Sequence, residues 1–381
     1  VAESLLSDEL LETFRSRAAG YDSANAFFAE DLDDLKAAGY LRAFVPTALG
    51  GAGLDAQAVV REQVRLASAA PSTALGVNMH LIWTGVAKAM LDRGDDSLKF
   101  VLDEAAAGEL FGFGISERGN DLMLFGSTTS AAPEADGGFR FTGTKIFTSL
   151  SPAWTRLGLH GLDTSSPDAP KLVYAFIPRG ADGVETLDDW DTLGMRATQS
   201  NSTRLDGVRA EPDRVVRRVD PGPSADLLLW SIFANFELLL SAVYAGIGAR
   251  ALELATAAAT TRKQRDGTPR SQDPDTRWRV ADAAITMDGV WPQLDAVARD
   301  IDEQVDRGGE WYRLLSGLKV RTVHAVRDVV DQAISLAGGA AFNSSSELGR
   351  LYRDVIAGVF QPSTVDSAHS TAARHLLGPL D

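Results

Sequence analysis

Between Asp226 and Arg250 the chain carries one acidic or basic side chain, Glu237, in a run of Leu, Phe, Ala and Trp. Removal from water disfavours a charged carboxylate, so a buried Glu either finds a partner or has its pKa raised. A carboxylate poised near neutral pH can take a proton from carbon as a general base. The same pattern suits a Glu paired with a bundle Arg or set at a subunit contact. Two histidines are further candidates for holding or moving a proton: His80, in the apolar stretch STALGVNMHLIWTG, and His369, close to the C-terminal end. A lone His in an apolar helix is more often a satisfied core residue. Hydroxyl-rich strand ends are the other feature with chemical content. GISERGND at 114–121 and KIFTS at 145–149 each close an apolar run with Ser or Thr. Backbone N–H groups beside a Ser hydroxyl can bond the heteroatoms of a planar polar ring.

Composition removes several other chemistries. The 381 residues contain no cysteine, which excludes disulfides, thiolate catalysis, Fe–S clusters and Cys-based zinc sites. The five histidines, at 80, 160, 324, 369 and 375, show no HxH or HExxH spacing, so no metal site is expected. A net charge of −15 argues against nucleic acid or an anionic membrane as the main partner. Residues 227–244 imitate a membrane span, but Asn235 and Glu237 sit near the middle and no Lys/Arg cluster flanks them. A buried bundle helix is the better reading. The N-terminal stretch VAESLLSDELLETF lacks a signal-peptide pattern, and a cytoplasmic location is expected.

The elements that must position these residues fall into three blocks. Residues 1–109 read as helix, with Leu6, Leu10 and Phe14 at i, i+4, i+8. Leu32 and Leu35 repeat the pattern and leave Asp31, Asp33 and Asp34 facing solvent. Residues 110–218 read as strands at 111–116, 122–131, 138–147, 154–162, 171–178 and 202–208, an antiparallel barrel or sandwich. Residues 219–381 return to helix, with long periodic segments at 224–262, 274–306, 311–337 and 345–376, the last open to a break near Pro362. The fold class expected is α+β: an N-terminal helical domain, a central antiparallel β domain and a C-terminal four-helix bundle.

That order resembles the acyl-CoA dehydrogenase family over essentially the whole chain. GISERGND is similar to the family's VTEPGAGSD turn, shorter by about two residues, and GFRFTGTKIFTS to its strand ending in KxWIT. DTLGMRATQSNSTRLDGVRAEPDRVV resembles its LGMR element, and SLAGGAAFNSSSELGRLYRD its GGxGf…R…RD element. The resemblance implies FAD held between the β domain and the bundle, its adenosine end completed by a neighbouring subunit, in a homo-oligomer that would be a tetramer. It implies cofactor contacts at Ile115 and Ser116, at Phe147 in place of the usual Trp, and at Ser149 in place of the usual Thr. Arg262 would hold the pyrophosphate, with Gly338 and Gly339 as a close-approach pair and Thr364 and Asp366 near the ribose.

The chain departs from the family where the proton is taken. Most members carry a Glu in a YEGT turn shortly after the RD pair. Counting on from Arg353 and Asp354 reaches FQPST at 360–364, which has no carboxylate. The family's other position for the base is the first long bundle helix, where Glu237 stands. Leu238 follows it where the family often has an Arg that contacts the thioester, so recognition of CoA is open. The first expectation is therefore an FAD-dependent acyl-CoA dehydrogenase, forming an α,β double bond in an acyl thioester with Glu237 as base. The alternative is a flavin monooxygenase of the same fold, in which His80 or His369 holds or moves a proton. A third reading is a scaffold that kept the fold and lost the chemistry.

Overall fold

The computed structural model describes residues 4–380. Five helices come first: α1 Asp8–Ala24, α2 Ala29–Ala37, α3 Ala56–Ala69, α4 Pro71–Asp92 and α5 Lys99–Ala106. The Ser7 and Asp55 side chains cap α1 and α3 by accepting from Leu10 N and Ala58 N. Pro71 opens α4, where a missing N–H costs nothing. Asp31 departs from expectation: it is fully buried, accepting from Arg17, Tyr21 and Thr73. Helical spacing put it on the polar face, and the first turn of α4 covers that face.

The strands are β1 Phe111–Gly114, β2 Ser130–Pro133, β3 Phe139–Lys145, β4 Arg156–Asp163, β5 Lys171–Pro178, β6 Val184–Thr186, β7 Thr203–Ala210 and β8 Val215–Val219. They form one eight-stranded sheet in the order β6-β7-β3-β2-β4-β5-β8, with β1 also paired to β4. The expected antiparallel barrel is corrected on two counts. Both β1 and β2 run parallel to β4, sharing different stretches of it. Among the described residues β6 and β8 do not pair, so the sheet stays open with two short strands at its edges, a common way to blunt an edge. The apolar run at 122–125 is a 3₁₀ turn rather than part of a strand, and β6 and β8 were not foreseen.

Six helices follow: α6 Leu227–Thr261, α7 Pro274–Asp288, α8 Trp291–Asp302, α9 Glu310–Ala337, α10 Glu347–Phe360 and α11 Val365–Leu377. The four periodic segments are all present, but the second and fourth are each two helices. The first break lies at Gly289 and Val290, just before Pro292, and the second at 361–364 around Pro362. The span-like stretch lies in α6, where an 18-residue window of mean hydropathy 1.7 is 83% buried in protein. Two helical glycines make close crossings. A Cβ on Gly246 would lie 2.5 Å from Val64 O of α3, and one on Gly85 of α4 2.3 Å from Asn235 Oδ1 of α6. One hydrophobic cluster runs through the first helices, the sheet and the bundle, so the strand ends are held on both sides by packed helices.

Candidate functional site

The strand ends gather four of the residues singled out above. Ile146 N donates to Ser116 O at 2.9 Å, which ties the segment after β1 to the segment after β3. Ile115 is buried and Ser116 half-buried. Phe147 holds φ 55°, a left-handed conformation that an aromatic residue rarely takes. Its ring is 57% exposed and meets Trp190 edge-on at 6.1 Å. Ser149 is buried, with Oγ 2.7 Å from Ser200 Oγ. Thr148 Oγ1 is buried without a partner. A strained, exposed aromatic ring next in the chain to buried hydroxyls, one of them orphaned, fits a flat heteroaromatic group such as a flavin ring.

A buried charge network fixes the loop that follows Ser116. Glu117 accepts from Lys145 Nζ, Ser127 Oγ, Asn120 Nδ2, Thr128 N and Thr129 N. Lys145 Nζ also donates to His160 O at 2.6 Å and to His160 Nδ1 at 3.2 Å. His160 is therefore neutral, with Nε2–H donating to Gly126 O at 2.8 Å. Burial alone would raise the Glu117 pKa, but the charge and hydrogen bond of Lys145 outweigh it and hold the carboxyl far below its ordinary range. Burial lowers Lys145 to about 8 and His160 to about 3. Lys145 was readable as an inward residue, since it falls on the same alternation as the buried Phe139 and Phe141 along β3.

Glu237 is 1% exposed and meets the break between α10 and α11, 126 residues further on. Its Oε1 accepts from Ser363 N at 3.0 Å and from Ser363 Oγ at 2.5 Å, while Oε2 has no partner. Lys319 of α9 reaches the same turn from the other side, with Nζ donating to Gly358 O at 2.6 Å, to Gln361 O and to Ser363 O at 2.8 Å. Burial pushes Glu237 up to about 7 against the opposing pull of Lys319 and Ser363, and pushes Lys319 down to about 8. Tyr244 O–H donates to Gln361 Oε1 at 2.6 Å. The two positions that the family resemblance links, the first bundle helix and the turn after the RD pair, thus lie in one contact. The carboxylate in that contact carries the turn. Lys319 escaped sequence reading, although a Lys on the buried stripe of Leu315, Thr322, Val323 and Val326 was the available signal.

The remaining candidates are dispersed. His80 is buried with both ring nitrogens engaged: Nε2–H donates to Leu41 O at 2.7 Å and Nδ1 accepts from Phe111 N at 3.1 Å. Burial lowers its pKa to about 4, so it stays neutral and joins α4 to β1. His369 is exposed on α11, with Nδ1 bonded to Val365 O. Arg262 and Gly338 do come together, because Arg262 Nη1 donates to Ala337 O at the end of α9; Arg270 Nη1 donates to Leu336 O at 3.0 Å. Gly338 holds φ 63° at the cap, and Gly339 is exposed beside it. Thr364 caps α11, and Asp366 lies exposed in its first turn.

Helices around an open sheet, backed by a bundle whose first helix packs against α3 and α4 as well as α9, define the dehydrogenase-type fold anticipated from the sequence. Residues 238–361 match the family model "Acyl-CoA dehydrogenase, C-terminal domain". The L-evernosamine nitrososynthase of a Micromonospora species is 29% identical over 95% of this chain and 86% of its own length. The dibenzothiophene monooxygenase of Mycolicibacterium goodii is 29% identical over 91% of this chain and 87% of its own length. The isobutylamine N-hydroxylase of Streptomyces viridifaciens is 27% identical over 92% and 90%. Among solved structures, KijD3 in complex with FMN and dTDP-3-amino-2,3,6-trideoxy-4-keto-3-methyl-D-glucose superposes with a TM-score of 0.82 at 26% identity. That match covers 98% of this chain and 92% of the other. Over residues 238–361 the chain is thus similar to the acyl-CoA dehydrogenase family, and over nearly its whole length it shares the fold of KijD3.

Proposed function

We propose that this chain is a flavin-dependent monooxygenase that takes up reduced FMN and oxygenates a nucleophilic nitrogen or sulfur of a small organic molecule. The observation that carries the reading is the commitment of Glu237. The turn at 360–364 holds no carboxylate, and the one nearby is bonded twice to Ser363 and faces Lys319. Acyl-CoA dehydrogenation needs a base open to a substrate carbon, and this carboxylate is 1% exposed, with Oε1 held by Ser363 and Oε2 buried without a partner. The relatives named for nitroso formation, N-hydroxylation and monooxygenation support the same direction.

FMN rather than FAD is favoured for two reasons. A similar structure holds FMN, and Arg262, the residue assigned to a pyrophosphate, is turned onto the last carbonyl of α9. Phe147 would cover the flavin ring, with Ser116 and Ser149 bonding its polar edge. Bound reduced flavin supplies the two electrons that split O₂, one oxygen entering the substrate and the other leaving as water. The chain's own part is orientation and exclusion of water. Phe113 stacks on Phe236 at 5.4 Å, and Phe125 and Phe233 both pack on Tyr312, lining the contact between sheet and bundle with apolar rings. Assembly into a homotetramer is part of the proposal, supported by Trp278 and Ile285, which leave one face of α7 apolar and exposed.

The test supplies the purified protein with FMN and an enzymatic source of reduced FMN in air, against a panel of primary amines and thioethers. The expected result is a product heavier by one oxygen that carries label from ¹⁸O₂. Anaerobic bleaching of bound flavin by an acyl-CoA, with no oxygenated product from any substrate, would overturn the reading.

A further inference from the structure

The Phe147 ring leans on a loop that two helices hold. Among the described residues Trp190 is the aromatic ring it meets, edge-on at 6.1 Å. All three polar groups of Trp190 are engaged. Its N–H donates to Asn201 Oδ1 at 2.9 Å, its carbonyl accepts from Asn25 Nδ2 at 2.8 Å, and its Nε1–H donates to Arg196 O at 3.0 Å. Further along the loop, Met195 and Gln199 hold left-handed backbone at φ 54° and 43°. Such conformations persist where their surroundings over-determine them, and both residues are tied to helices outside the loop. Met195 N donates to Asp354 Oδ1 of α10 at 2.6 Å, and Gln199 Nε2 donates to the carbonyl of Asn25, the C-cap of α1, at 2.8 Å. Arg353 joins the two helices. Its guanidinium donates to both carboxylate oxygens of Asp22 on α1, at 3.0 and 2.5 Å, and to Leu193 O at 3.0 Å. Arg196 Nε donates to Asp22 O at 2.9 Å, and Gly194 packs on Arg353 O with no room for a Cβ.

We propose that Trp190 is a buttress that sets the Phe147 ring, and that Asp22, Arg353 and Asp354 are positioning residues acting on it through the 189–200 loop. What Phe147 contacts rests on the flavin reading above; the clamp on the loop is independent of it. Phe147 is 57% exposed, so core packing does not choose its rotamer, and the fixed edge of Trp190 does. A ring set before binding loses less freedom when a flat group stacks on it, which tightens binding without a new contact. Met195, which Asp354 holds, lies 159 positions earlier in the chain, so the bundle reaches a ring of the β domain through one loop.

The experiment titrates FMN by fluorescence into the native protein, Trp190→Leu, Asp354→Ala and Asp354→Asn, and into each variant combined with Phe147→Ala. Tryptic cleavage after Arg196 is followed by mass spectrometry in the same proteins without flavin. Trp190→Leu and Asp354→Ala should each weaken FMN binding by about threefold to tenfold, the worth of ordering one side chain. Asp354→Asn keeps an oxygen for Met195 N and should restore most of that affinity. On the Phe147→Ala background neither Trp190→Leu nor Asp354→Ala should cost anything further, because the ring they position is gone. Asp354→Ala should speed cleavage after Arg196, and Asp354→Asn should not. If Asp354→Ala does not fold, the comparison of Trp190→Leu with and without Phe147→Ala decides alone. An equal loss on the Phe147→Ala background, or unchanged affinity in both Trp190→Leu and Asp354→Ala, overturns the proposal and leaves the monooxygenase reading intact. Cleavage of Asp354→Ala at the native rate overturns the clamp. A native protein that binds no FMN overturns the flavin reading, and the cofactor role proposed here with it.

Discussion

Replacing Glu237 separates a base from a clamp, because Gln and Ala remove different parts of what the carboxylate does. Glu237→Gln keeps an oxygen that can accept from Ser363 N and Oγ, and it removes the charge and the basicity. Glu237→Ala removes the acceptor as well and leaves two buried donors of Ser363 unsatisfied opposite Lys319. Breaking a buried charged contact in this way costs about 3–5 kcal/mol. For the native protein the pH dependence has a definite sign. Burial raises the folded pKa of Glu237 from 4.5 to about 7, so its contribution is fully present below the ordinary carboxylate value and is lost as pH rises through 7. Over the full range the loss is of the order of a few kcal/mol, most of it between pH 5 and pH 7.5. Urea unfolding at pH 5 and pH 7.5 should show that drop in the native protein and not in Glu237→Gln. Glu237→Ala should be the least stable, and limited proteolysis should cut it first between α10 and α11. Oxygenation by Glu237→Gln should stay within a few-fold of native. A hundredfold loss of flavin reduction by an acyl-CoA in Glu237→Gln, with stability unchanged at both pH values, would refute the clamp and restore the base.

Lys145→Met should destabilise by about 3–5 kcal/mol in urea unfolding, because it strands a buried Glu117, and adding Glu117→Gln should recover part of that loss. Phe147→Ala should weaken FMN binding by roughly tenfold in a fluorescence titration while the melting temperature holds, since the ring is exposed and stacking is its main work. Light scattering should give a mass near four times 40.6 kDa, with Trp278→Asp combined with Ile285→Asp giving a smaller species; a native monomer would sink the tetramer. Gln361→Glu restores a carboxylate to the turn within reach of the Tyr244 hydroxyl, and it should still give no bleaching of bound flavin with acyl-CoAs.

The helical half of the fold was legible because period and caps agree. Asp55 before α3, Pro71 at the head of α4 and Gly338 after α9 each mark an end by a local rule. The sheet was legible strand by strand and not as a whole. Alternation located β3 and a continuous apolar run located β5, but nothing local states that β1 and β2 both lie parallel to β4, since pairing depends on long-range packing. The 122–125 run looked like a strand for its apolar side chains, and its conformation is set instead by Asn120 and by Glu117 capturing the N–H groups of Thr128 and Thr129. Asp31 was misplaced for a related reason, because helical spacing identifies a polar face and cannot say whether another helix will cover it.

For the site, the sequence located residues more reliably than it assigned their work. Glu237 stood out as a lone charge in an apolar helix, and in the structure it is buried, which pushes its pKa up. Both properties serve a base and a clamp equally well. What separates the two is where the oxygens point, and that depends on Ser363 and Lys319, which lie 126 and 82 positions away from Glu237 (363 − 237 and 319 − 237). His80 shows the same limit from the opposite side. A histidine in an apolar helix has two nitrogens to satisfy, and Leu41 O and Phe111 N satisfy both, leaving neither for a substrate. Two of the groups with pKa values moved furthest toward neutrality, Glu237 and Lys319, sit face to face across one turn and hold it by direct hydrogen bonds. A perturbed pKa therefore marks burial first, and in this chain burial at the turn is structural. The buried hydroxyls that follow Phe147, with Thr148 Oγ1 unpartnered, are the better place to look for contact with the cofactor.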